Sequence, residues 1–438
     1  MSATINRTHD AGVFSWIDSA NAASTDFPIQ NLPFGVFRER GQSEAARCGV
    51  AIGDLVLDIS RVADVFSGAA SSVALACDHD SLNEVMSLDL GALGMFRAQL
   101  FDLLARENIQ NRARVSPALI PMTDVELVMP VRVSGYTDFF ASIHHATNAG
   151  RLFRPGQPLL PNYKYVPVGY NGRAASVQLG GGAVRRPRGQ LRRADSDVPT
   201  YTECECLDYE VELGFFVGRN SERNKPLAVG EGWDHIFGAC LLNDWSARDI
   251  QSWEAQPLGP FLAKSFATSI SPWVITSEAL APFRVPIAAR PDGDPAPLPH
   301  LWDSEDQENG ALQVEIDALL STELMRREGF PSYRLSRSNA STLYWTPSQM
   351  LAHHTSNGSS LNTGDLIGTG TISGAEDSAR GSLLEITVGG KVPLNLPSGE
   401  MRCFLEDGDE VTLMGRCDKS GFRSIGFGVC QAIVDPSL

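Results

Sequence analysis

Two short apolar runs, Cys48-Gly49-Val50-Ala51-Ile52 and Leu55-Val56-Leu57-Asp58-Ile59, are joined by Gly53-Asp54. A glycine opening a two-residue loop between such runs predicts a β-hairpin, so the chain begins with a small antiparallel unit. Phe96, Leu100, Leu103 and Leu104 follow at i, i+4, i+7 and i+8, which predicts an amphipathic helix closing that first unit. Residues 108–121 are polar and then proline-bearing, which places a domain boundary there and divides the chain into 1–119 and 120–438. Beyond it, glycine, proline and short alternating runs predict a large irregular β-structure with few helices. No internal repeat interrupts it.

Several stretches of this second part carry polar groups in apolar settings. In Leu207-Asp208-Tyr209-Glu210-Val211-Glu212-Leu213-Gly214, alternation predicts a strand with Glu210 and Glu212 on one face and Asp208 in line behind them. From this segment alone, a water-facing edge is favoured over a cation site. Leu242 to Gln251 follows an apolar run and opens with capping residues, so a helix there would align Asp244, Arg248 and Gln251 on one stripe. That stripe is either a salt-bridged surface or part of a site, whereas Trp245 and Asp249 look structural. Lys264 stands alone in an apolar run, at an edge or held by a carboxylate or an anionic ligand. Thr346-Pro347 predicts a helix start, with the helix running to Gly358 and carrying His353 and His354 as structural residues. Gly364 to Gly374 is a glycine-rich turn without the Gly-Lys-Ser/Thr ending of a phosphate loop. Leu383 to Val388 alternates ahead of Gly389-Gly390, predicting a hairpin strand with Glu385 on its polar face.

Charge and composition narrow the chemistry. A formal net charge of −16 excludes a nucleic-acid groove, since the arginine-rich run 185–193 is read as a solvated loop and the acidic run 303–309 as its counterpart. No apolar stretch is long enough to span a bilayer, and the polar first thirty residues show no secretory leader, so the expected compartment is the cytoplasm. The eight cysteines are scattered; Cys204 and Cys206 lack the further ligands that zinc needs. Asp138, Glu210, Glu212 and Asp244 would together form an all-oxygen ligand set, which suits Mg2+ or Ca2+, although only the fold could bring them together.

The stretch Tyr136-Thr137-Asp138-Phe139-Phe140-Ala141-Ser142-Ile143-His144-His145-Ala146-Thr147-Asn148 sets a carboxylate and a histidine pair close together. With Asn31 to Phe37, Pro167-Val168-Gly169-Tyr170, Asn243 to Gln251, Pro257-Leu258-Gly259-Pro260-Phe261, Thr371-Ile372-Ser373-Gly374 and Gly426-Phe427-Gly428, it makes nearly the whole chain resemble the fumarylacetoacetate hydrolase family. The resemblance implies a mainly β, α+β architecture, with a small N-terminal SH3-like barrel followed by a large C-terminal β-roll, and a homodimer. It implies hydrolysis of the carbon–carbon bond of an anionic 1,3-diketone, as in tyrosine and homogentisate breakdown.

Position by position, the resemblance makes Asp138, Glu210, Glu212 and Asp244 ligands of Mg2+ or Ca2+, with Lys264 and Thr268 beside the cation. His145 becomes the general base, Glu385 its orienting partner, and Arg248, Gln251 and Lys264 the oxyanion donors. Arg154, Tyr170, Arg248, Gln251 and Thr371 fall at substrate-contact positions. Phe140 and Ala255 stand where the family often carries tyrosines, and Asn171 departs from the common Gly-Tyr-His-Gly string. These departures keep open a related metal-dependent hydrolase or lyase for another β-diketone or oxo acid. A binding protein without turnover is a further reading, which the intact His145 and Glu385 disfavour.

Overall fold

The computed structural model describes residues 4–42, 45–193 and 195–438. The first unit is a five-stranded antiparallel sheet built from β1 (Phe34–Glu39), β2 (Arg47–Ile52) and β3 (Leu55–Asp58), backed by helix α1 (Leu90–Leu104), with β4 (Leu119–Pro121) and β5 (Val125–Val128) as its edges. Gly53 takes φ +59° in the hairpin between β2 and β3, as its place in the two-residue loop requires. The strand order is β4-β3-β2-β1-β5. Only Met122–Asp124 joins the two edge strands. Three intervening residues reach about 14 Å, whereas four strand spacings in a flat sheet span about 19 Å, so the sheet curls towards a barrel. Both edge strands lie in or beyond the polar segment at which the sequence suggested a boundary, so the sheet crosses the 119/120 division.

The central sheet carries the chemistry. It includes β6 (Tyr136–Phe139), followed by helix α2 (Ile143–Phe153), then β7 (Val211–Val217), β8 (Ile236–Asp244), helix α3 (Arg248–Glu254) and β9 (Thr268–Ile270). Helix α4 (Pro347–Thr355), strand β10 (Leu366–Gly368) and the one-turn helix α5 (Leu383–Ile386) complete the labelled elements. The order β6-β10-β7-β8-β9 is flanked by the short strands Gly169–Asn171 and Val177–Leu179. Alternation along β7 sends Val211, Leu213 and Phe215 into one core and Phe216 into another, and β8 divides Ala239 and Leu241 from Cys240 and Leu242 in the same way.

The first of these cores joins the central sheet to a second five-stranded sheet, whose strands include Glu315–Ser321, Glu410–Cys417 and Ile425–Asp435. The other core joins the central sheet to the N-terminal unit through residues such as Val36, Phe96 and Leu100. Such a sheet, covered on both faces, has buried central strands, and all seven residues of β7 and all nine of β8 are buried. The result is the mixed α+β architecture of a small and a large β-unit.

Two expected elements differ. Leu242-Asn243-Asp244 ends a strand instead of opening a helix, because pairing with β7 and β9 takes its backbone groups; α3 begins four residues later, at Arg248. Leu383 to Ile386 is helical instead of extended, because the Asp208 carboxylate accepts from the Leu383 and Leu384 amides, and Gly389-Gly390 forms a left-handed turn after it. Helix α4 forms as expected, with a reciprocal Thr346–Gln349 cap.

Candidate active site

Strand alternation puts three carboxylates on the central-sheet face turned to the N-terminal unit. Asp138 lies on β6, Glu212 on β7 and Asp244 at the end of β8, all buried, with oxygens within 4.8 Å of one another. Strand β10 lies between the first two, and it carries Gly368 there. A Cβ at that position would come within 2.5 Å of Asp138 Oδ1 and 3.2 Å of Glu212 Oε2, so glycine is what lets the carboxylates meet across the strand. The Gly370 amide donates to both, at 3.2 and 3.1 Å.

Burial, and then the negative charge of Asp244, push the Asp138 carboxyl well above its usual range. Burial and Asp138 do the same to Glu212, whose Oε1 has no hydrogen-bond partner. Packed carboxylates that repel, with an unspent oxygen among them, form an all-oxygen donor set suited to a hard divalent cation. The residues present therefore fit such an ion.

Lys264 is buried and reaches Asp244 Oδ2 at 2.7 Å and Glu210 Oε2 at 2.5 Å, which excludes the edge position left open for it. Glu210 precedes β7 and faces a cationic side of the site. Arg248 Nη1 lies 2.8 Å from its Oε1, and His145 Nε2 lies 3.8 Å away. Burial pushes the Glu210 carboxyl up, but Lys264 and Arg248 outweigh that cost and hold it below the ordinary carboxylate range. The Tyr170 hydroxyl donates to Asp244 Oδ2 at 2.9 Å, and Thr268 Oγ1 donates to Asp244 Oδ1 at 3.3 Å.

The histidine pair separates by helix phase. Ser142 caps α2 by accepting from the His145 amide, and His145 turns inward while His144 stays half-buried. His145 Nδ1 lies 2.7 Å from Glu385 Oε2. Glu385 also accepts from Asn148 Nδ2 at 2.9 Å, Ser373 Oγ at 2.8 Å and Ser382 Oγ at 3.0 Å. Burial raises its carboxyl, but the neighbouring imidazole and these donors outweigh the cost and hold it at about 2. An ionised Glu385 can only accept, so His145 Nδ1 donates to it, and Nε2 points to the Glu210 side of the site.

The remaining expected positions are spread more widely. Gln251 Oε1 accepts from Arg248 Nη1 at 3.3 Å, and the Phe140 ring meets His145 edge-on with centroids 5.2 Å apart. Thr371 is buried and its Oγ1 has no hydrogen-bond partner. Arg154 is exposed at the end of α2 and donates to the Pro158 carbonyl, making none of the site's hydrogen bonds. Ala255 is half-buried just past α3, where its carbonyl accepts from the Gly259 amide. Asp208 is not in line with the other carboxylates: it pairs with Arg248. Asn148, Ser373 and Ser382 were not singled out; Asn148 sits three residues after His145, a spacing that helix geometry turns into a shared face.

A histidine held by a buried glutamate beside an acidic cluster and two buried cations defines a hydrolytic enzyme site. Residues 135–434 match the family described as "Fumarylacetoacetate (FAA) hydrolase C-terminal" and residues 30–130 the one described as "Fumarylacetoacetase N-terminal". The chain is 43% identical over 425 residues to a fumarylacetoacetase of Bos taurus, covering 95% of this chain and 98% of that protein. It is 43% identical over 422 residues to one of Homo sapiens, with the same shares covered. A fumarylacetoacetate hydrolase structure from Exiguobacterium antarcticum shares the fold at TM-score 0.50 and 17% identity, over 92% of this chain and 99% of that one. The chain belongs to the fumarylacetoacetate hydrolase family.

Proposed function

We propose that the protein hydrolyses fumarylacetoacetate, a 1,3-diketone, to fumarate and acetoacetate. The observation that carries this reading is the His145–Glu385 pair beside the three carboxylates, in a chain whose relatives at 43% identity are fumarylacetoacetases. Asp138, Glu210, Glu212 and Asp244 would hold Mg2+ or Ca2+, with Lys264 and Thr268 alongside; the chemistry such an ion supplies when bound is polarisation of the diketone oxygens. His145 Nε2 takes a proton from water as the water oxygen bonds to the acyl carbonyl carbon. Glu385 stabilises the imidazolium through Nδ1–H. Arg248, Gln251 and Lys264 donate to the tetrahedral oxyanion, an effect worth on the order of 3 kcal/mol for one well-placed donor. The bond between the acyl carbon and the methylene carbon then breaks, its electron pair passing into the enolate of acetoacetate, and the imidazolium returns a proton to that carbon.

Phe140, Arg154, Tyr170, Ala255 and Thr371 would line the substrate together with Arg248 and Gln251. Phe140 lacks the hydroxyl and Ala255 the ring that the family often carries there, which favours, as a second reading, a β-diketone with a larger or less acidic acyl group. The protein works as a homodimer in the cytoplasm on this reading, and the exposed Leu258, Phe261 and Leu262 are apolar surface that a second copy would cover. Among the described residues no helix is long and apolar enough to cross a membrane. Turnover in 18O-labelled water tests the chemistry: one label in a fumarate carboxylate is expected, and release of malonate, which attack at the other ketone would give, would overturn the direction of attack.

A further inference from the structure

Asp208 is buried and has no role in the chemistry above. Its carboxylate is nevertheless fully engaged. Oδ1 accepts from the Tyr209 amide at 2.9 Å and the Leu383 amide at 2.8 Å. Oδ2 accepts from Arg248 Nε and from the Leu384 amide, each at 2.9 Å. Two of these four donors open α5, the single turn that carries Glu385, and another belongs to the first residue of α3.

We propose that Asp208 is a positioning residue that ties the His145–Glu385 dyad to the anion-binding edge of Arg248. This rests on the catalytic reading of those residues given above. Holding Arg248 by its Nε side fixes the guanidinium plane. Nη1 is then aimed at Glu210 and Gln251, while the buried Nη2 lies 2.9 Å from Asp208 Oδ2 without a well-angled hydrogen bond. The same carboxylate replaces the missing preceding turn of α5, which is too short to hold its own first amides. No amide can take its place. In either orientation, the NH2 of an asparagine would face two N–H donors, either those of Arg248 and Leu384 or those of Tyr209 and Leu383.

The test is Asp208→Asn in the metal-loaded protein, alone and combined with Arg248→Ala and with Glu385→Gln. The single variant is expected to lose about 10- to 100-fold in kcat, the range for outer-shell partners of a site, while still binding Mg2+ or Ca2+ by calorimetry. In each combined background the same substitution should cost clearly less than in the wild type, because one of the two groups it acts through is already gone, and about threefold or less when both are replaced. Near-wild-type kcat, or the full loss repeated in both backgrounds, would overturn the proposal. If Asp208→Asn does not purify folded, the same cycle with Asp208→Glu decides, since that carboxylate stays charged but moves by one methylene. A readout independent of turnover is the NMR signal of the His145 Nδ1 proton, assigned by its loss in His145→Ala. Its displacement in the Asp208 variant supports the tie to α5, and an unmoved signal refutes it. Failure of the wild type to cleave the diketone would sink the proposed function while leaving this signal to judge Asp208.

Discussion

Replacing Glu385 by glutamine removes one negative charge from beneath His145 and leaves the shape of the site almost unchanged. The carboxylate is buried, accepts four hydrogen bonds and stays ionised, with its pKa held at about 2. A glutamine can keep its oxygen toward His145, Ser373 and Ser382 if the Asn148 amide turns over, so the hydrogen-bond pattern is largely repairable. The Coulomb attraction to the imidazolium is not. With about 4 Å between charge centres and an effective dielectric of about 20, that attraction is about 4 kcal/mol. It acts only when the imidazole has taken its proton, so it appears in kcat as a loss on the order of a thousandfold. The assay is steady-state loss of diketone absorbance, with the melting temperature and metal affinity measured beside it. A Glu385→Gln enzyme within about tenfold of wild type would refute the argument that this charge stabilises the imidazolium.

Lys264→Met should destabilise the metal-free protein by about 3–5 kcal/mol, because it leaves the buried Asp244 without a cation and Glu210 with Arg248 alone; an unchanged urea midpoint in a chelating buffer would contradict this. Mg2+ or Ca2+ at about a hundred times its dissociation constant should stabilise the wild type by about 2.7 kcal/mol, and the gain should vanish in Asp138→Asn; equal shifts in both would remove Asp138 from the ligand set. Far from the site, burial lifts the Asp306 carboxyl from its ordinary 3.8 to about 6 against hydrogen bonds from Thr346. The folded protein then holds this proton more tightly than the unfolded chain, so stability falls as pH rises between those values, by on the order of 3 kcal/mol. Asp306→Asn should therefore gain on the wild type from pH 4 to pH 7, and a stability difference independent of pH would count against it.

Local pattern was enough for the β2–β3 hairpin, helix α1 and the cap of α4, because a two-residue glycine loop, a 3.6-residue period and Thr-Pro each act through neighbours in the chain. It failed at Asp244 and at Glu385 for one reason. Strand pairing of β8 with β7 and β9, and the Asp208 carboxylate on α5, are long-range forces that override short polar runs. Of the candidate site, the residues alone offered oxygen ligands that read more readily as a water-facing edge and a lysine with two readings; the family resemblance supplied their grouping, and burial of Glu210, Glu212 and Lys264 overturns the water-facing reading. What the sequence could not separate was Asp208 from Glu210 and Glu212. All three alternate along one segment, yet a break in the strand at Tyr209 and Glu210 sends one to Arg248, one to Lys264 and one to the carboxylate cluster. Arg154 and Ala255 were named only by resemblance, and the fold gives neither of them a bond into the site.

The most direct measurement is product formation from fumarylacetoacetate by metal-loaded wild type and His145→Ala, quantified as fumarate and acetoacetate. The account predicts equal amounts of the two products from the wild type and a loss of several orders of magnitude on removing the imidazole. No cleavage by the metal-loaded wild type, or unchanged turnover without His145, would contradict it.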